Sequence, residues 1–292
     1  MKTTVLGKTS LTVSRLGVGL FEIGTLSDVP AAGQVLNAAL DGGINFLDTA
    51  ACYDNSEEWI GRTISHRRAE YVLATKAGHV TGGYEGKEWT AKTILDSIER
   101  SLVRMKTDYV DLVQLHSCGV DILERGEAVQ ALLDARRAGK TRFVGYSGDR
   151  EAALWAVESG QFDTLQTTFN LLDQEARIEL FAKAEARGMG IIVERSIANA
   201  AWVAPPGSGP VNWYRQRMQA MLDTGPIPNA PQNLIALALG FTLAHPEVDT
   251  AIVGTRNPDH MLANIKLVED ALPLPAEVVR ELHRRFDQLK QS

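Results

Sequence analysis

The sequence is poor in several things, and each shortage removes a class of protein. Only two cysteines, Cys52 and Cys118, occur in 292 residues, so no disulfide framework holds the chain, and a chain this long can bury a sufficient core without one. Positive charge is in deficit. A formal net charge of −6 argues against nucleic acid or an anionic membrane as the main partner. Long apolar runs are missing: the longest, LIALALGFTLA at 234–244, is about half a membrane span and reads as a core helix. The opening MKTTVLGKTSLTVSRLG has no apolar core of signal-peptide length. With 45% hydrophobic and 23% charged residues, the composition is that of a soluble globular protein, and a cytoplasmic location is expected. No G-x-G-x-x-G follows an early strand, since LGVGLFEIG fails the spacing, and H-x-H and H-E-x-x-H are absent.

What is present is an alternation of strand-like and helix-like segments. Eight short stretches rich in Val and Ile, bounded by Gly, Asp or Asn, fall at 14–20, 44–50, 71–78, 110–117, 142–148, 164–170, 190–196 and 250–256. Between them lie helical patterns such as TAKTILDSIERSLVRM, with Ile94, Ile98 and Leu102 four apart. Two others, ILERGEAVQALLDARRAG and RIELFAKAEARG, end at Gly139 and Gly188. Eight strands separated by helices predict parallel pairing and an α/β fold of the (β/α)8 TIM-barrel type, one domain over 1–292. A short N-terminal β-hairpin around LGKTSL precedes it, and a C-terminal helix near 276–289 packs outside. The alternative, an open doubly wound sheet, lacks its phosphate loop. Residues 198–231 hold six of the eleven prolines together with Trp202, Trp213 and Tyr214. They are expected to form an active-site lid loop, with a flexible surface insertion as the plainer alternative.

Polar residues recur at one structural place. Asp48, Lys76 and His116 fall near the ends of the second, third and fourth strands, and Tyr53 lies five residues beyond Asp48. Alternation along VLATK groups Val72, Ala74 and Lys76 on one face, and along LVQLH it groups Leu112, Gln114 and His116. Singly each has an ordinary explanation: a helix cap, a solvated lysine, a structural histidine. In a closed barrel, however, functional residues come from the carboxyl ends of several strands. Asp48 and Lys76 would meet there, each making the other's burial tolerable.

These motifs, GINFLDTAACYDNSEEWIGR, LATKAG, DLVQLH and VGYSG, resemble those of the aldo-keto reductases, and LGVGLFEIG and IVGTRNPDHMLANI fit the same family. The resemblance spans nearly the whole chain. It implies an NADPH-dependent reductase of aldehydes or ketones (NADH being a weaker cofactor), acting on a small carbonyl or alcohol. Tyr53 would donate the proton, Lys76 held by Asp48 would lower its pKa by roughly two units, and His116 would orient the carbonyl oxygen. By the same resemblance Ser147 and Gln166 match residues that hold the nicotinamide carboxamide, and Ser196 sits where the pyrophosphate passes. Gly254, Thr255, Arg256, His260 and Asn264 match the segment around the adenosine 2′-phosphate and adenine. GTRNPD also reads as a strand-to-helix turn capped by Asn257. Three positions depart from the family pattern: Gly148 replaces a common Asn, Asp54 a common Gly, and Arg195 an aromatic that stacks on the nicotinamide, where its own flat guanidinium is expected to bind the cofactor by stacking instead. Phe21, Trp89, Trp202 and Trp213 are candidates for an apolar substrate pocket.

Three rivals remain. Lys76 could be the nucleophile of a Schiff-base aldolase. Cys52, His116 and Cys118 could hold a metal. Finally, a cofactor-binding regulatory protein could keep this fold with little turnover.

Overall fold

In the computed structural model, which describes residues 1–203, 210–270 and 273–291, the chain begins with an antiparallel hairpin. Strands β1 (Thr3–Val5) and β2 (Thr12–Ser14) pair with Thr3 opposite Ser14. Eight parallel strands follow: β3 (Leu16–Gly19), β4 (Phe46–Asp48), β5 (Val72–Ala77), β6 (Val110–His116), β7 (Thr141–Ser147), β8 (Thr164–Thr168), β9 (Gly190–Glu194) and β10 (Thr250–Val253). They neighbour one another in chain order, and β10 pairs with both β9 and β3. The sheet is therefore closed, which excludes the open doubly wound alternative.

The connecting helices follow from local signals. In Ala91–Met105 the Thr90 side chain accepts the Thr93 N–H, while Ile94, Ile98, Leu102 and Met105 are buried. Leu234–Leu243 is capped by Asn233, which accepts from Ile235 and Ala236, and it is buried on most of its circumference, as a core helix should be. The single helix expected over 122–139 is two, Val120–Arg125 and Glu127–Arg137. Gly126 between them adopts φ +73, a left-handed conformation that ends one helix before the next begins.

The inside of the barrel is divided along its axis. Leu6, Leu11 and Val13 of the hairpin region form one apolar cluster with Phe46, Val72, Ala74, Leu112, Ile192 and Ile252. The hairpin thus plugs the amino-terminal end of the strands. Gly7 (φ +51) makes the close approach possible, since a Cβ there would lie 2.2 Å from Gly190 N. Each large apolar side chain sealed this way contributes roughly 1.5–3 kcal/mol. With that end shut, the mouth formed by the described residues is at the carboxyl ends. Side-chain alternation then sends polar residues to it: Asp48 beyond Phe46, Lys76 beyond Ala74, Gln114 and His116 beyond Leu112, and Glu194 beyond Ile192.

The expected lid loop at 198–231 is corrected in part. Its described portion contains the helix Pro210–Asp223, with Tyr214, Met218 and Met221 buried. Arg285, on the final helix Ala276–Gln291, donates to the carbonyls of Met221, Gly225 and Pro226 at 2.8, 2.7 and 3.0 Å. Apolar residues of this stretch are therefore spent on packing against the body of the protein. Proline did not prevent the helix because Pro210 takes its first position, where no N–H is needed. Residues 204–209 of the expected lid lie outside the described residues. No helix among the described residues is long and apolar enough to cross a membrane.

Candidate active site

Lys76 is the centre of the mouth. Its Nζ donates to Asp48 Oδ2 at 2.6 Å, to the Thr49 carbonyl at 3.0 Å and to Tyr53 Oη at 3.4 Å. An ammonium has three N–H donors, so these partners use all of them. The pair is fully sequestered, with side-chain exposures of 0% for Lys76 and 1% for Asp48. Burial works against the Lys76 charge, but Asp48, Tyr53 and Glu194 outweigh it and hold its pKa above the ordinary lysine range. Gln166 Nε2 also donates to Asp48 Oδ2 at 3.1 Å, and Gln166 Oε1 accepts from Gln114 Nε2 at 2.6 Å. One network thus runs from β8 through β4 and β5 to Tyr53.

The expectation of a lowered Tyr53 pKa is not met. Burial is the larger effect and pushes the phenol up to about 12; Lys76 pulls it down, while Asp48 and Glu194 push the same way as burial. Before anything binds, Tyr53 is a firmly protonated phenol. His116 is the opposite case: burial, then Lys76 and His79, hold its imidazole down to about 3, so it is neutral. Its Nδ1 lies 3.4 Å from Cys52 Sγ. Burial raises the Cys52 thiol pKa, so it stays an S–H able to donate to Nδ1, an arrangement that suits the ring proton on Nε2.

A row of rings flanks this group. Phe21 meets Tyr53 edge-on at 5.3 Å, Tyr53 meets His116 at 5.6 Å, His116 meets His79 at 5.1 Å, and His79 meets Trp89 at 4.7 Å. Phe21 is 55% exposed, so the row presents an apolar edge to an incoming molecule. Trp89 rests on Gly78, where a Cβ would lie 1.8 Å from its ring. Trp202 packs against the core. Trp213 lies against Tyr214, with Arg217 over its face. Neither of these two belongs to the row.

The three family departures have local causes. Asp54 adopts φ +42, the conformation that favours glycine. At Gly148 a Cβ would lie 2.6 Å from Tyr146 Oη, whose hydroxyl donates to the Cys118 carbonyl. The Arg195 guanidinium is engaged by Thr168 Oγ1 at 3.0 Å, Glu194 at 3.4 Å and Asp149 at 3.8 Å. It lines an outer cavity of about 710 Å³ with Asp149, Thr168, Asp173, Trp213 and Tyr214, beside the Lys76–Tyr53 group rather than around it.

The other residues matched to a dinucleotide lie on one rim. Ser147 and Gln166 are adjacent partners on β7 and β8. Ser196 is buried and donates to the Ile252 carbonyl at 2.9 Å, so its hydroxyl is occupied. Thr255 Oγ1 accepts from Asn257 N, and Asn257 Oδ1 accepts from Asp259 N at 2.8 Å, the capped turn read in the sequence. Arg256 and His260 are exposed and Asn264 is buried. At Gly254 a Cβ would strike the Glu22 carboxylate at 1.8 Å. A dinucleotide fits this donor set at both ends. Near the centre stand the network around Gln166 and the orphaned buried acceptors Asp48 Oδ1 and Gln114 Oε1. At the rim, Arg256 forms no ion pair among the described residues, although Glu22 lies within its field. Among the described residues no group of three or more His, Cys, Asp or Glu is arranged to hold a metal.

Two residues of the mouth escaped the sequence reading. Glu194 follows Ile192 on the inner face of β9, but GIIV is apolar throughout and buried on both faces, so nothing before Glu194 marked which face looks inward. His79, 3.1 Å from Glu88, follows a glycine in a loop and carried no signal.

Residues 15–285 match the model of the aldo/keto reductase family, and the chain belongs to that family. It is 27% identical to an uncharacterized oxidoreductase of Bacillus subtilis, over 99% of this chain and 97% of that protein. It is 26% identical to L-galactose dehydrogenase of Arabidopsis thaliana, over 98% and 94%. An aldo-keto reductase from Bacillus halodurans, solved in its holo form, superposes with a TM-score of 0.85 at 29% identity, over 98% of this chain and 96% of that one.

Proposed function

We propose that this protein is a cytoplasmic enzyme that reduces an aldehyde or ketone to the alcohol with NADPH, Tyr53 giving the proton. The observation that carries this reading is the saturated ammonium of Lys76, pinned by Asp48 against Tyr53 Oη. A bound reduced dinucleotide supplies the hydride. His116, neutral with its proton on Nε2, donates to the carbonyl oxygen and orients it, as an oxyanion-hole group does. Tyr53 then hands over its proton as negative charge builds on that oxygen. A phenol at about 12 is sufficient for the task, because an alkoxide has a basicity near that of hydroxide, whose parent acid lies about four units higher. Lys76 stabilises the phenolate left behind.

The same lysine weighs against a Schiff-base aldolase. An amine nucleophile must be uncharged and free, whereas Lys76 is held cationic and has no N–H to spare. Arg256 supports NADPH over NADH, since it can pair with the extra phosphate by charge-assisted bonds. The nearby Glu22 carboxylate and the absence of a side chain at Gly254 keep that preference modest, so NADH is a weaker substitute. The test is NADPH consumption against a panel of aldehydes, ketones and sugars. Active wild-type protein should lose about 10²–10⁴-fold in turnover on Tyr53→Phe, with cofactor affinity unchanged within a few fold. No turnover of any substrate, or a Tyr53→Phe variant keeping more than about a third of the rate, where general acid catalysis is at stake, would refute the assignment.

A further inference from the structure

Glu194 enters none of these steps, yet it stands among their residues. Its Oε2 lies 3.4 Å from Gln166 Nε2, and its Oε1 lies 3.4 Å from both Thr168 Oγ1 and the Arg195 guanidinium. These contacts are at the long limit of a hydrogen bond, while Asp48 is held by Lys76 at 2.6 Å. Gln166 Nε2 bridges the two carboxylates. The mouth therefore contains one carboxylate held tightly by a cation and one carboxyl group held only by long contacts. We propose that Glu194 supplies negative charge beside the nicotinamide, so that the site holds the oxidised dinucleotide, whose ring is cationic, more tightly than the reduced one, whose ring is neutral. This rests on the reading above that the carboxamide lies at Ser147 and Gln166.

The two redox forms differ at the ring by one unit charge, so a neighbouring carboxylate discriminates between them directly. Stabilising the cationic form on the protein favours hydride donation to a carbonyl, and it slows release of the spent cofactor. The groups facing Glu194 are Arg195 on its own strand end, Asp149 after β7, Thr168 and Gln166 on β8, Lys76 on β5, Asp48 on β4 and the Tyr53 phenol after β4. Burial raises the Glu194 pKa; Asp149 and Asp48 add to this, and Arg195 and Lys76 oppose it. Arrival of a cationic ring favours the ionised form. Binding of the oxidised dinucleotide is then coupled to proton release and tightens as pH rises, and binding of the reduced form lacks that coupling.

The experiment is calorimetric titration of NADP⁺ and of NADPH into the wild type and Glu194→Gln at pH 6 and pH 8. The uncharged isostere should weaken NADP⁺ binding roughly tenfold, and NADPH binding by less than about threefold, as expected for one charge acting in a partly screened site. It should also remove the pH dependence that distinguishes the two ligands. Glu194→Asp, which keeps the charge, should retain the preference for NADP⁺. NADPH binding doubles as the control for folding, because a merely structural role would weaken both ligands alike. An unchanged ratio, or equal loss of both, overturns the proposal and leaves the functional reading standing. Wild-type protein that binds neither ligand overturns both.

Discussion

Lys76→Met removes the cation and keeps an unbranched apolar stem in a place that is 0% exposed. Asp48 then remains buried with Gln166 as its partner and no counter-charge. Breaking a buried pair from one side costs about 3–5 kcal/mol, a large share of the roughly 5–15 kcal/mol that holds a typical domain folded. The lower end is expected here, because Asp48 can escape by protonation: burial already lifts its pKa. A carboxyl whose folded pKa is raised binds a proton more readily folded than unfolded. The variant's deficit should therefore shrink at low pH and grow as pH rises through that folded pKa. Asp48→Asn should cost less, since Lys76 keeps Thr49 and Tyr53 and can shed its own proton. With both changes neither position buries a charge, and the double variant should be at least about 2 kcal/mol more stable than the single costs add up to. Urea unfolding followed by circular dichroism measures all four proteins. Turnover should be lost in the three variants alike, separating the stability of the pair from its chemistry. If the double variant equals the sum of the singles within about 0.5 kcal/mol, the two residues do not act as a pair.

Two other outcomes follow from the rim and from the outer helices. Arg256→Ala should bring NADPH and NADH close to parity, chiefly by weakening NADPH, from a wild-type preference at the lower end of roughly 10- to 150-fold, the value of a charged hydrogen bond; paired dissociation constants check it, and a full preference retained in the variant would remove Arg256 from the phosphate site. His245 Nε2 and His283 Nε2 lie 3.0 Å apart, and burial depresses both imidazoles, His283 to about 4. The unfolded chain then binds more protons between about pH 6.5 and 4, and stability falls as pH drops through that window, by at most ~1.4 kcal/mol per unit per histidine. Urea midpoints should fall more steeply with acid in the wild type than in His283→Gln, and parallel slopes would refute the linkage.

Particular residues show where the sequence was legible. Asp48, Lys76 and His116 could be placed because each ends a strand inside a motif that resembles the family's, and a closed barrel has only one functional end. Glu194 could not be singled out so easily. GIIVE is buried on both faces, as parallel strands are, so hydrophobicity does not say which face looks inward. The sign of the Tyr53 shift failed for a different reason. A sequence names Lys76 as a partner but contains no measure of desolvation, and desolvation is the larger effect. His79 reaches the ring row through a loop whose path depends on Gly78 at φ +132, and the helix at Pro210–Asp223 was hidden by the prolines that flank it.

The axial division of the barrel interior also bears on function. The floor is mainly hydrocarbon, from Leu6 to Ile252, interrupted by the buried hydroxyls of Thr164 and Thr250. The mouth buries Asp48, Lys76, Gln114 and Gln166 at 1% exposure or less, and it leaves Asp48 Oδ1 and Gln114 Oε1 without partners. Each unsatisfied buried acceptor costs about 1–3 kcal/mol, and well-packed apolar residues in place of a buried ion pair are often neutral or stabilising. A barrel selected for stability alone would continue the hydrocarbon upward. The polar half is retained at a stability cost, and its ion pair lies toward the end the hairpin leaves open, beside Tyr53 and close to His116.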